Sequence, residues 1–183
     1  FQYHKREMTS VIALDAPFDF WPREARRARR RAEKRGVKIE ESDNWENFYE
    51  LLQQHMWQRH EVRPTHTLEE LRHLSDLCPQ RLRLFAAFVD QEMIADMLLF
   101  LCNRNVALAF YYVSHRDGFQ NYHGFYSLVA EVLEWCVRQG FRYLDLGTYT
   151  IASEPNWGLA NFKESFGALG VFRDTMSVEF GVG

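Results

Sequence analysis

Three long apolar runs divided by two short polar turns constrain the fold of this 183-residue chain more than any other feature. Leu82–Val89 and Met93–Cys102 flank Asp90-Gln91-Glu92, and Asn103-Arg104-Asn105 leads into Val106–Ser114. Turns this short join antiparallel neighbours, so the three runs predict a meander at the centre of a sheet. Tyr122–Gln139 then shows apolar residues at helical spacing and stops at Gly140, the residue favoured just past a helix end. The next apolar run, Tyr143–Leu146, reads as a strand. A strand, a long helix and another strand fit a parallel crossover, which makes the expected sheet mixed.

The flanking segments are punctuated as clearly. Ser10–Asp15 reads as a short strand stopped by Pro17, and Trp21–Arg35 as a helix with Pro22 in its first turn and Gly36 after its last. Val37–Glu40 reads as a second short strand. Asn44 is placed to cap a helix from Trp45 to about Arg59, with Trp45, Phe48, Leu51, Leu52, His55 and Met56 along one face. Thr67 caps Leu68–Leu77, which Pro79 closes. A short helix near Leu159–Phe166 and a strand, Val171–Phe180, complete the order. There is no internal repeat.

The hydrophobic share of 46% supports one core, and the length is short for two domains. No run of about 18 apolar residues is present to form a transmembrane helix. Cys78, Cys102 and Cys136 are odd in number and far apart, as expected of free thiols in a reducing cytoplasm. The histidines lack metal-ligand spacing; His55 and His60 stand five apart, so no metal is expected. Between Arg23 and Arg35 lie eight basic residues against Glu24 and Glu33, a net of +6. The remainder of a chain whose formal total is −3 therefore carries −9, and such a concentrated cationic helix suggests an anionic partner.

Five segments together resemble the FemAB-type branch of the GNAT-like acyltransferases: RRARRRAEKRGVKIEES, LRLFAAFVDQEMIADMLLF, AFYYVSHRD, VLEWCVRQGFRYLDLGT and GLANFKESFGALGVF. The resemblance implies an α/β, GNAT-like fold, a mixed twisted sheet flanked by helices with two parallel strands that splay apart. It also implies a single GNAT-like domain over 1–183, the carboxyl-terminal part of a longer chain, with the basic helix at 21–35 leading into it. The implied activity is N-acyl transfer to an amine, on a cell-envelope precursor or a small molecule, from acyl-CoA (acetyl-CoA) or aminoacyl-tRNA. A second reading is a non-catalytic GNAT-like module that binds polyanions or supports a partner domain. Ordinary GNAT enzymes grip the coenzyme A pyrophosphate with Q/R-x-x-G-x-G/A, and the corresponding Arg116–Gly124 stretch does not contain it.

By the same resemblance, Lys163 supplies the cation that stabilises charge during transfer, and Phe162, beside Asn161, walls the donor end. The alternative is a lysine snorkelling from a packed helix to solvent. Arg116, Gly118, Asn121, His123 and Gly124 are the donor-loop candidates, through backbone amides at the start of the Tyr122 helix and the Arg116 cation, or Asn121 is simply a helix cap. Tyr112 is a candidate proton donor or a core aromatic. Asp145 is a candidate base, an anchor for Arg142 or Lys163, or a structural acceptor for loop amides. The Arg23–Arg35 helix is read as touching tRNA, as lying on an anionic membrane, or as packing against further protein.

Overall fold

Alternation of apolar and polar residues, helix caps and tight turns all leave their mark on the computed structural model, which describes residues 1–15, 23–151 and 154–180. The chain runs β1 (Gln2–Ala13), α1 (Arg23–Lys34), β2 (Lys38–Glu41), α2 (Trp45–His60), α3 (Leu68–Leu77), β3 (Leu82–Val89), β4 (Glu92–Leu101) and β5 (Val106–Val113). It continues with α4 (Gly124–Arg138), β6 (Tyr143–Thr148), a two-residue ribbon of β7 (Thr150–Ile151) and β8 (Glu154–Pro155), α5 (Trp157–Glu164) and β9 (Leu169–Ser177). Seven strands form one mixed sheet in the order β2-β3-β4-β5-β6-β1-β9.

The meander is present. β3, β4 and β5 pair antiparallel in turn, and Asp90 and Gln91 take φ values of 49° and 71° at the first hairpin. Such left-handed pairs match the twist of the strands they join. α4 then crosses over to bring β6 parallel to β5. Because strand side chains alternate, the sheet carries two cores. Phe85, Ala87, Met97 and Leu99 pack with Phe125, Leu128 and Val132 of α4. Leu84, Ala86, Leu98 and Val113 pack with Phe48, Leu52 and Leu71 of α2 and α3. α1 lies along α4 through Ala28 and Ala32, and the Arg29 guanidinium reaches Glu134 at 2.5 Å.

Caps fall where the sequence places them. Asn44 accepts the Asn47 N–H, and Thr67 forms a reciprocal capping box with Glu70. Other expectations are corrected. The crossover helix begins at Gly124, not Tyr122, because Gln120–Tyr122 form a single 3-10 turn and His123 is left-handed at φ 57°. β1 starts at Gln2 rather than Ser10, since it is paired by β9 on one side and β6 on the other. β6 extends to Thr148, and α5 begins at Trp157 under an Asn156 cap. The last strand spans Leu169–Ser177 in place of Val171–Phe180. The expected stop at Pro17 and the helix start at Trp21-Pro22 lie outside the described residues.

β9 forms one edge of the sheet and is exposed throughout, with Leu169, Phe172 and Met176 each more than half accessible. Arg6 of β1 holds Asp174 of β9 with two hydrogen bonds of 2.7 Å.

Gly124 seats the start of α4 on β4. A Cβ there would stand 2.8 Å from Cδ1 of Ile94, itself fully buried. Gly124→Ala is expected to destabilise the fold by about 1–3 kcal/mol through overpacking, read as a lower denaturant midpoint at unchanged slope. A midpoint at or above that of the parent contradicts this account of the contact.

Candidate functional site

β5 and β6 pair only where Val106–Leu108 meet Tyr143–Asp145, and beyond that stretch they part. Two local features turn them away from each other. Ala109 pairs with Leu99 and Tyr111 with Leu98, which leaves Phe110 as the extra residue of a bulge, and a bulge bends its strand. On β6, the Asp145 carboxylate accepts the Gly147 N–H at 2.7 Å, and Gly147 sits at φ 79°, a conformation that costs glycine least.

Lys163 closes the apex of this opening. It is 2% exposed, and its Nζ donates to the carbonyl oxygens of Gly147 and Thr148, each at 2.8 Å. The solvent-facing alternative for this residue therefore does not hold. Burial pushes the ammonium down to about 8 against the opposing pull of Asp145. With two N–H groups committed to the strand, a protonated Lys163 keeps one more to offer. Asp145 is engaged as well: besides Gly147 it accepts the Thr9 hydroxyl of β1.

A cavity of about 510 Å³ opens against β5. Phe110, Tyr111, Tyr112 and Ser114 form its floor, and Asn156, Leu159 and Phe162 at α5 form one wall. The opposite wall is α2, through Leu52, His55, Met56 and Arg59. Tyr112 and Phe162, which the sequence nominated, are thus brought together here, and both pack on Phe125, at 5.3 and 5.7 Å between ring centroids. Burial alone pushes the Tyr112 hydroxyl up to about 12, so it keeps its proton at neutral pH.

The α2 wall was missed as part of a site. Its signal was a histidine set in an apolar stripe, with Arg59 one turn further on. Arg59 Nη2 stands 2.9 Å from His115 Nε2. Because arginine only donates, Nε2 must be the bare acceptor and the ring proton sits on Nδ1, 3.2 Å from Ser114 Oγ. Burial first, then Arg59, holds His115 below the ordinary histidine range, in keeping with that neutral ring.

The donor-loop candidates are not gathered at one point. Arg116 pairs with Glu92 at 3.3 Å and faces a small cavity on the α2 side with His115 and Gln54. Gly118 and Asn121 face another cavity, of about 460 Å³, with Tyr122 and Arg35. Gly124 is buried against Ile94, and Asn161 is exposed on α5. His123 is half-buried, and burial, then Arg31 and Arg35, push its pKa down.

Asp96 was also missed, although a lone acid inside the apolar run Met93–Leu101 was a signal. It is fully buried, with Oδ1 accepting the Val113 N–H at 3.2 Å and Oδ2 without a partner among the described residues. Burial pushes its carboxyl well above the usual range. The folded state then holds a proton that the unfolded chain gives up near pH 4, so stability falls as pH rises above about 4. Asp96→Asn is expected to remove that component of the slope in urea titrations at several pH values. Parallel pH profiles for the two proteins contradict it.

Lys163 gives the complementary signature. Its folded-state value lies below the unfolded one, so between pH 8 and about 10.5 the unfolded chain binds more protons and stability rises with pH. Lys163→Met is expected to abolish that rise relative to wild type.

Residues 22–164 match the model of the family described as an acetyltransferase (GNAT) domain. Among solved structures, FemX shares the fold at a TM-score of 0.74 and 14% identity, over 91% of this chain and 61% of that one. L-PGS from Bacillus licheniformis aligns at a TM-score of 0.64 and 13% identity, over 94% and 60%. An aminoglycoside acetyltransferase from an uncultured soil metagenomic sample, in complex with sisomicin, aligns at 0.51 and 13%, over 80% and 95%. The chain spans about 60% of the length of the first two. A search of curated proteins found no match. No helix among the described residues is long and apolar enough to cross a membrane. With more than half of its length inside the match, and a sheet that splays at β5 and β6, the chain belongs to the GNAT acetyltransferase-domain family.

Proposed function

We propose that this domain transfers an acyl group to an amine, with the donor carbonyl held in the opening between β5 and β6. The observation that carries the reading is the buried Lys163 ammonium held on the β6 carbonyls where that strand has left β5, next in the chain to Phe162, which walls the cavity floored by Tyr112. Such a transfer needs a neutral amine held against the carbonyl and donors for the oxygen that becomes anionic. The third N–H of Lys163 serves that oxygen. The amine nitrogen forms the new C–N bond while the C–S bond of a thioester, or the C–O bond of an aminoacyl ester, breaks. Tyr112 protonates the departing sulfur or oxygen, and the proton shed by the amine returns through solvent to the tyrosinate. The donor is acyl-CoA or aminoacyl-tRNA, and the acceptor amine belongs to a cell-envelope precursor or a small molecule. Free Cys78, Cys102 and Cys136 favour a cytoplasmic setting.

The scaffold reading remains the competitor, and kinetics separate the two. With a donor and acceptor pair that wild type turns over, Tyr112→Phe is expected to lower kcat by roughly 10²–10⁴-fold while Tm stays within a degree or so. The wild-type rate, measured with an acceptor whose amine is already neutral, is expected to fall as pH rises through about 8, where Lys163 loses its proton. Absence of turnover with every donor, together with no donor-induced rise in Tm, sinks the enzymatic reading and favours the scaffold.

A further inference from the structure

The cavity lined by Arg35, Gly118, Asn121 and Tyr122 lies between the C-terminal end of α1 and the loop that follows β5. In ordinary members of this superfamily that loop grips donor phosphates, yet here it lacks the glycine-rich motif. The cations are instead brought in from α1. Arg35 places its guanidinium carbon 5.6 Å from the centroid of the Tyr122 ring, at the cavity wall. Arg31, four residues earlier, shares that helical face. Both stand close enough to the loop to disfavour a charged His123.

The arrangement is fixed by the rest of the helix. Ala28 and Ala32 bury the stripe of α1 that adjoins these two arginines, and Arg29 is tied to Glu33 and Glu134. Arg31 and Arg35 are exposed and have no carboxylate partner among the described residues. Gly118 is left-handed at φ 87° with open space where a Cβ would be, so a ligand can approach its backbone.

We propose that the phosphates of the acyl donor sit between Arg31 and Arg35 of the α1 end and the Gly118–Tyr122 turn, so that a helix outside the strand–helix–strand crossover takes over phosphate binding. The ligand class is a pyrophosphate or phosphodiester joined to the acyl carrier, and this rests on the acyl-transfer reading above. Arginine suits that class because its planar fork meets two phosphate oxygens at once. α1 carries further positive charge over its length of about 18 Å, at Arg30, Arg26 and Arg23, which face other sides of the helix from Arg31 and Arg35. Coenzyme A needs only the Arg31 and Arg35 end, whereas a nucleic acid also runs along the remainder.

Calorimetric titration of the whole chain tests this with coenzyme A, pantetheine (the same arm without nucleotide phosphates), a short single-stranded RNA and anionic phospholipid vesicles. The double variant Arg31→Ala/Arg35→Ala is expected to weaken coenzyme A or RNA binding by roughly 10- to 100-fold and to leave any pantetheine binding unchanged. Arg31→Gln, which gives up no hydrogen bond or ion pair within the described fold, is expected to show a smaller loss in the same direction. Arg23→Ala/Arg26→Ala removes equal charge elsewhere on the helix. It should spare coenzyme A and weaken only RNA, which identifies the source of the phosphates. The proposal is overturned if that control weakens coenzyme A equally, if the double variant binds like wild type, if pantetheine is lost in parallel, or if vesicles alone or no phosphate ligand bind wild type. Transfer assays run alongside keep the two readings apart. Turnover with donor affinity indifferent to Arg31 and Arg35 retires the phosphate site and spares the enzyme. Arginine-dependent binding without turnover does the reverse.

Discussion

The two 2.8 Å bonds from Lys163 Nζ to the carbonyls of Gly147 and Thr148 are the interaction on which the site depends, because they occupy strand acceptors where β6 has left β5. A sheet that opens in its interior leaves backbone groups without ladder partners, and buried groups of that kind are costly. Water would satisfy them, but it would also fill the opening. An ammonium delivered by the short α5 helix satisfies two carbonyls from the protein side. The chain thereby keeps a parallel pair at one end of the two strands and a gap at the other.

That solution has its own electrostatic cost. A buried cation gives up hydration, and the two carbonyls and nearby Asp145 only partly offset the loss, as the fall of its pKa to about 8 indicates. Asp145 is fixed in turn by the Thr9 hydroxyl and the Gly147 N–H. The same carboxylate thus shapes the turn that moves β6 aside and moderates the cation at the apex. Strand geometry and charge are coupled through one side chain.

Local signals were legible where the chain determines its own conformation. The caps at Asn44 and Thr67 and the three-strand meander could be read directly, because each depends on residues a few positions apart. The length of β1 could not be read: its N-terminal half is a strand because β9, some 170 residues later, pairs with it. The start of the crossover helix was misread because nothing in Gln120–His123 announces that His123 turns left-handed. Lys163 stands out by likeness to a family, and nothing in the residues around it indicates that both carbonyls it meets belong to β6. The α2 wall and the approach of Arg35 to Tyr122 arise only when distant segments pack together.

β9 carries a further consequence. As the last strand of the sheet it presents backbone donors and acceptors with no neighbouring strand among the described residues, and Leu169, Phe172 and Met176 project from it. Such a border is a template for intermolecular strand addition, which proteins commonly resist by placing charge along it. Here the charge is supplied in pairs across the ribbon, Arg6 with Asp174, and the Arg6 guanidinium also covers the Phe172 ring at 4.6 Å. Acidification that protonates Asp174 would release Arg6 from this pairing and loosen the shield over the edge strand.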